Sequence, residues 1–212
     1  MNKTYIILIL LANMLTVKAQ DVKFGLKGGV NFSNISISGG NSVTNPDTTT
    51  RTSFHLGGLV EVKLADKFAL QPEIQYSSVG YKFALTGIEQ GISYRGDVVD
   101  KIDYLSIPVL VKYFAAEGFS LDFGPQVGFL ISHKADIKVN VLGNSSTQTV
   151  DLADESEKIE FGLNFGATYK FKNNLFLSGR YNLGLSNIQK ESTDGEKILN
   201  RTFQLSLGYI FK

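Results

Sequence analysis

The sequence predicts an all-β fold, an eight-stranded antiparallel up-and-down transmembrane β-barrel, and three observations carry that expectation. Eight segments alternate apolar and polar residues with a period of two, the repeat of a strand with one greasy and one polar face. The connections between them alternate between short turns and long polar loops, as in a barrel with turns on one side of a membrane and loops on the other. The strand lengths match the roughly 9 to 11 residues that a tilted strand needs to cross a bilayer.

The first segment is set aside before the barrel is read. Lys3, the apolar run from Tyr5 to Leu15 and the small-residue site Val17-Lys18-Ala19 have the form of a secretory signal peptide, residues 1–19, cut after Ala19. The run is shorter than the roughly 20 residues of a membrane-spanning helix. Residues 20–212 then form one barrel domain.

The strands follow in order. Phe24, Leu26, Val30 and Phe32 form the apolar face of the first, and Phe54, Leu56, Val60, Val62 and Leu64 that of the second. Phe68, Leu70, Pro72, Ile74 and Tyr76 form the third, and Leu105, Ile107, Val109, Val111 and Tyr113 the fourth. The fifth carries Phe119, Leu121, Phe123, Val127, Phe129 and Ile131, and the sixth Phe161, Leu163, Phe165, Ala167, Tyr169 and Phe171. Leu177, Tyr181, Leu183 and Leu185 mark the seventh; Phe203, Leu205, Leu207, Tyr209 and Phe211 the last. Matching apolar faces across the tight hairpins pairs Leu64 with Phe68, Ala115 with Phe119 and Phe171 with Leu175. Each pair encloses a three-residue loop, with Gly118 and Asn173 or Asn174 able to take the left-handed conformation. The long connections are Ile35 to Thr52, Thr86 to Asp100, Lys134 to Lys158 and Asn187 to Asn200.

In lipid the apolar face lies outside, and an eight-stranded barrel is wide enough only for side chains within. Counting from the short turns brings Lys27, Glu61, Glu73, Lys112, Asp122 and Arg180 to similar depth, with Gln71 and Ser178. Three acids thus meet three bases, an interior charge network in which Arg180 neutralises Glu73 and Asp122. Phe24, Phe68, Phe114, Phe119, Phe171 and Phe211 fall at the turn-side ends, where an aromatic girdle belongs. Pro72, Pro108 and Pro125 each remove a ladder donor inside a strand, and local bulges are expected there.

Composition narrows the function. The 212 residues are 43% hydrophobic and 19% charged, with 21 Gly and no Cys, and the formal net charge is +1. Such a balance offers nucleic acid no basic face, and the missing thiols exclude disulfides, thiolate metal sites and cysteine nucleophiles. The Gly25–Gly29 stretch leads into a strand, so no helix N-terminus cradles a phosphate. His55 is expected inside near the top of the second strand and His133 at the rim of the fifth. Adjacent Ser132 and His133 point to opposite faces and cannot pair. The acidic run Asp151, Asp154, Glu155 and Glu157 reads as a solvated loop. No catalytic residue, cofactor or metal site is expected.

Five motifs carry a family resemblance. Gly25-Leu26-Lys27-Gly28-Gly29-Val30-Asn31-Phe32-Ser33, Leu70-Gln71-Pro72-Glu73-Ile74-Gln75-Tyr76-Ser77, Tyr104-Leu105-Ser106-Ile107-Pro108-Val109-Leu110-Val111-Lys112-Tyr113, Gly124-Pro125-Gln126-Val127-Gly128 and Arg180-Tyr181-Asn182-Leu183-Gly184-Leu185 together resemble the small outer-membrane β-barrel domain family labelled porin family protein. The resemblance runs over nearly the whole mature chain, and its pattern contains the three prolines. It implies a Gram-negative outer membrane, contact with outer-membrane lipid and lipopolysaccharide, delivery by periplasmic chaperones to a barrel insertase, and no established catalytic residues. Tyr209 and Phe211 resemble the C-terminal assembly signal, from which Lys212 departs by following the last aromatic.

A filled lumen and long loops favour a structural or surface-interaction protein with an unknown extracellular partner. A narrow diffusion pore is the alternative, and an outer-leaflet lipid-modifying enzyme a third reading. The alternation of the fifth strand resumes at Ile137, Val139 and Val141, before a turn at Gly143-Asn144. A returning stretch through Thr147 to Leu152 would make a protruding ribbon with an edge for strand addition.

Overall fold

A computed structural model describes residues 22–39, 42–44, 48–89, 92–141, 144–190 and 195–211. The leader with its cut after Ala19 lies outside the described residues. The strands are β1 (Val22–Gly39), β2 (Ser42–Thr44), β3 (Thr49–Ala65), β4 (Phe68–Val79), β5 (Tyr81–Glu89), β6 (Ile92–Ala116), β7 (Phe119–Val141), β8 (Asn144–Asp151), β9 (Ile159–Lys170), β10 (Leu175–Gly184) and β11 (Lys197–Ile210). A 3₁₀ turn, Ala153–Glu155, follows β8.

Eight of these make the wall. Neighbours pair antiparallel in the order β1, β3, β4, β6, β7, β9, β10, β11, and β11 returns to β1 in an unbroken ladder from Gly25↔Ile210 to Ser38↔Lys197. The ring is therefore closed, and the protein is an eight-stranded antiparallel up-and-down barrel. Its outer face carries the predicted apolar series, with Phe24, Leu56 and Leu207 exposed to lipid, while Lys27, Glu73 and Arg180 are buried inside.

The other strands lie above the apolar belt. β5 continues β4 past Gly80 in the same register on β6, so Val79↔Ile102 is followed by Lys82↔Val99. Gly80 adopts φ +136, and a Cβ there would meet the Asp100 carbonyl oxygen at 2.1 Å. β8 pairs with β7 from Asn144↔Val141 to Asp151↔Lys134. Three of the connections read as long loops, Ile35 to Thr52, Thr86 to Asp100 and Lys134 to Lys158, are thus largely strand, because the barrel's own ladders extend through them, whereas Asn187 to Asn200 is strand only from Lys197.

Several local expectations are corrected. The turns after β3 and β6 hold two residues, Asp66-Lys67 and Glu117-Gly118, with Ala65↔Phe68 and Ala116↔Phe119 paired. Register shifts at Lys63/Ala65 and Phe114/Ala116 absorb the extra residue that matching the apolar faces had assigned to the loops. The β9–β10 turn does hold three, with Phe171 N donating to the Leu175 carbonyl. Gly118 and Asn174 take positive φ, as the turns require. Phe114 turns inward, its ring 6.0 Å from Lys112 Nζ, and Tyr113 faces lipid instead. Nor do the prolines bulge: Pro72↔Val109, Pro108↔Gln126 and Pro125↔Leu163 hold register on both sides. A strand directs successive N–H groups to alternate neighbours, so each proline costs one donor to one partner and leaves the spacing intact.

The β1–β11 seam gives a test. A Cβ on Gly29 would lie 1.9 Å from the Leu205 carbonyl oxygen, whereas one on Gly28 would lie 3.3 Å from the flexible end of Leu56. Gly29→Ala is expected to destabilise the barrel by about 3 kcal/mol, the upper part of the overpacking range, because the obstacle is backbone. Gly28→Ala should shift the urea midpoint far less. Equal midpoints for the two variants would show that the seam is not closed as described.

Candidate functional site

The lumen is built in layers, each placed by the alternation of the strands. Near the turns, Leu59, Phe176 and Ile210 form an apolar cluster. The charged layer lies close to it. Arg180 forks onto Glu73 through Nη1 at 2.9 Å and Nη2 at 3.0 Å, and Lys27 Nζ lies 2.5 Å from Glu73 Oε2. Lys112 donates to Glu61 and to Gln71 Oε1, both at 3.0 Å, while Gln71 Nε2 donates to Glu73 at 2.7 Å. One chain of contacts therefore joins Lys27, Glu73, Arg180, Gln71, Lys112 and Glu61. Asp122 is served otherwise: Ser120 and Thr168 hydroxyls donate to its two oxygens at 2.9 and 2.5 Å. The direct Arg180–Asp122 contact expected from the sequence is replaced by these donors, with Arg180 spent on both oxygens of Glu73.

A neutral layer sits above. Asn31 Oδ1 accepts from Gln204 Nε2 at 3.0 Å and from His55 Nδ1 at 2.7 Å. His55 Nε2 is then the acceptor for the Ser206 hydroxyl at 2.8 Å, a neutral tautomer assigned from its partners. At the loop-side mouth, Ile35, Val79, Ile102, Tyr104 and Ile188 close the barrel with a second apolar cluster.

His133 has partners that sequence spacing did not suggest. Its Nε2 lies 3.0 Å from both oxygens of Asp100 and its Nδ1 2.5 Å from Ser156 Oγ. Composition alone would make this a hydrolase relay, but the ring is reversed relative to one, in which Nε2 serves the serine. Ser156 is 2% exposed, and its Oγ also lies 2.7 Å from the Leu152 carbonyl oxygen. The arrangement fastens the segment after β8 to the rim. Asp100 was legible from its place two residues before Ile102 on the inward face of β6; Ser156 was not, since it enters from a connection.

Ile137, Val139 and Val141 are corrected as an edge. The register shift at Asp103/Tyr104 gives β7 one extra residue at Ile131, so the parity of β7 inverts above it. Ile137 pairs with buried Val98 and shares its lumen-side face, and β7 is flanked on both sides, by β6 and β8. Among the described residues β8, the three-residue β2 and the part of β5 beyond Lys82 are paired on one side only. Lys101 pairs with Asp136, to which Thr149 donates at 2.9 Å, tying β6, β7 and β8 together. The Lys101 hydrogen bond holds the Asp136 carboxyl below its ordinary range. In the acidic run Asp151 accepts from Ala153 N at 2.9 Å, and Asp154 lies 3.9 Å from Lys158. Tyr209 and Phe211 make an edge-on ring contact at 5.6 Å on the outer face.

A closed ring with an apolar exterior and a charge-paired interior defines an outer-membrane β-barrel. The outer membrane protein beta-barrel domain model matches residues 18–190, and the chain belongs to that family and resides in the outer membrane. Among solved structures, the attachment invasion locus protein Ail of Yersinia pestis, in complex with the heparin analogue sucrose octasulfate, is similar at 13% identity. That alignment covers 91% of this chain and 100% of that one, with a TM-score of 0.44. Neisserial surface protein A is similar at 14% identity over 91% of this chain and 99% of that one, with a TM-score of 0.37. The outer membrane protease OmpT of Escherichia coli is similar at 11% over 92% and 98%, with a TM-score of 0.40. A search of the curated proteins finds no match.

Arg180→Ala leaves Glu73 with Lys27 and Gln71 but removes its fork. The expected loss is about 3 kcal/mol, the low end for breaking a buried pair, since Lys27 remains. Urea midpoints of the detergent-folded barrel measure it, and an unchanged midpoint would remove Arg180 from any structural role.

Proposed function

We propose that this protein is a closed outer-membrane barrel that presents its extracellular sheet to an extended polypeptide partner. It is neither a solute conduit nor an enzyme. The leader, residues 1–19, serves export, and Tyr209 and Phe211 serve recognition by the insertase after chaperone delivery. The supporting observation is that β5, β6, β7 and β8 rise above the apolar belt as one paired sheet ending in β8, which is paired on one side. An edge strand offers alternate N–H and C=O groups, and a partner strand would complete its ladder. Residues Ser145 to Thr149 of β8 are exposed and polar, so the edge has no greasy surface to promote indiscriminate stacking. Against conduction stand the two apolar clusters at the ends of the lumen and the ion pairs close to the turn-side one. Against catalysis stands the burial of Ser156.

Two measurements test this reading. Purified protein in planar bilayers should give no discrete conductance steps; reproducible steps would make it a pore. Hydrogen exchange should find slow amides throughout Ile137 to Val139, which are flanked on both sides, and alternating slow and fast amides from Thr147 to Val150. Uniformly fast exchange in that stretch of β8 would remove the proposed docking edge.

A further inference from the structure

We propose that Glu160 and the oxygens around it bind one dehydrated monovalent cation of sodium's size inside the loop-side half of the barrel. Glu160 stands on the inward face of β9 and is 5% exposed. Its carboxylate lies over two glycines: a Cβ on Gly184 would meet Oε1 at 3.0 Å, and one on Gly128 would meet Oε2 at 3.5 Å. Asn200 Nδ2 donates to Oε1 at 2.8 Å, which identifies the amide nitrogen and leaves Oδ1 as the remaining acceptor. That Oδ1 has no hydrogen-bond partner although Asn200 is only 1% exposed, and Thr202 Oγ1, 2% exposed and on the same face of β11, has none either. Glu160, Asn200 and Thr202 line one cavity of about 10 Å³ with Tyr104 and Gln126. That is room for a single water-sized occupant.

Charge decides what the occupant is. Among the described residues no Lys, Arg or His lies within ion-pair distance of Glu160, in contrast to Glu61 and Glu73. The neighbouring guanidinium of Arg201 donates instead to the carbonyls of Gly184 at 2.7 Å and Asn200 at 2.9 Å. A buried carboxylate without a countercharge is strongly disfavoured. A water could bridge the oxygens but would leave the carboxylate with no contacting countercharge, Arg201 opposing it only from beyond ion-pair distance. A proton would cancel the charge and leave at least one of the two orphaned oxygens of Asn200 and Thr202 without a partner. A cation answers both needs, because the Glu160 carboxylate and the unpartnered Asn200 Oδ1 and Thr202 Oγ1 belong to residues that line the cavity, and hard cations take oxygen ligands. With one carboxylate, a monovalent ion makes the chamber neutral, whereas a divalent ion would leave it positive. Mg²⁺ would also retain waters for which there is no room.

The test compares urea unfolding of the detergent-folded mature chain in sodium chloride and in N-methylglucamine chloride at equal ionic strength and neutral pH. Sodium should lower the unfolding constant by the factor 1 + [Na⁺]/Kd, about tenfold when sodium is ten times Kd. Glu160→Gln keeps the shape and should abolish the difference between the salts. Thr202→Val keeps the charge and should move the sodium dependence to higher concentration, which decides the matter should Glu160→Gln fail to fold. Identical wild-type unfolding in the two salts overturns the proposal and leaves water or a proton as occupant. A sodium effect that persists unchanged in both variants also overturns it, by placing the ion elsewhere.

Discussion

Everything in this molecule follows from the need to partner every backbone N–H and C=O inside a solvent that offers no hydrogen bonds. A lipid-facing sheet with an edge leaves a row of such groups unpaired, so the first and last strands must meet. They do so along the whole length of β11, from Gly25↔Ile210 to Ser38↔Lys197. Once the ring is closed the two faces of each strand acquire fixed destinations, lipid or lumen. The ordinary rule of apolar inside and polar outside is thereby inverted. Phe24 and Leu56, which would be core in a soluble sandwich, form the exterior, and Lys27, Glu73 and Arg180 become the core.

Closure of eight strands also sets the lumen's width, and the interior has to be packed to that width. Large inward side chains stand beside glycines on neighbouring strands. A Cβ on Gly208 would fall 2.2 Å from the Phe176 ring, and one on Gly166 would lie 3.1 Å from the Arg180 Cα. Room is made at one strand for the side chain of the next. The charged groups then have little water to turn to, and they turn to one another: Arg180 spends both terminal nitrogens on Glu73, and Gln71 links that pair to Lys112 and Glu61. The same logic gives Asp122 its two hydroxyl donors. Polar satisfaction, rather than charge alone, organises this layer.

The barrel was legible because period-two alternation runs through the membrane-spanning part of every wall strand, and the positions of the turns, though not the length of two of them, were legible, two of them from Gly118 and Asn174. Depth counting found the charged residues but not their partners. Choosing Glu73 over Asp122 for Arg180 depends on how strands tilt across the lumen, which one strand's pattern does not encode. Prolines misled for a related reason: Pro72, Pro108 and Pro125 report a missing donor, but whether the neighbour needed that donor is a property of the pair. Ser156 was out of reach because a connection delivers it to His133. The return of Thr147 to Leu152 was legible as a ribbon from the resumed alternation of β7, and β8 pairs there up to Asp151; residues 144–146 were not, because Ser and Asn carry little strand propensity of their own and only a neighbouring ladder makes them a strand.

That neighbouring ladder also explains why the extracellular sheet stands at all. A two-stranded ribbon is marginal in water, and β7 with β8 alone would be one. Here β6 and β7 emerge from the wall already paired, and β5 arrives from β4 without a change of register. The loop-closure cost of forming these pairs is therefore largely met before the chain leaves the membrane. The single extra residue at Ile131 then determines which side of the extension is greasy. Without it, Ile137 and Val139 would continue the outward series of Phe129 and face away from the mouth. With it, they join Val98 on the lumen side, and His133 turns inward to meet Asp100 and Ser156. One inserted residue at the membrane boundary thus converts a lipid-facing pattern into a water-facing one, leaving the polar strand β8 at the outer margin.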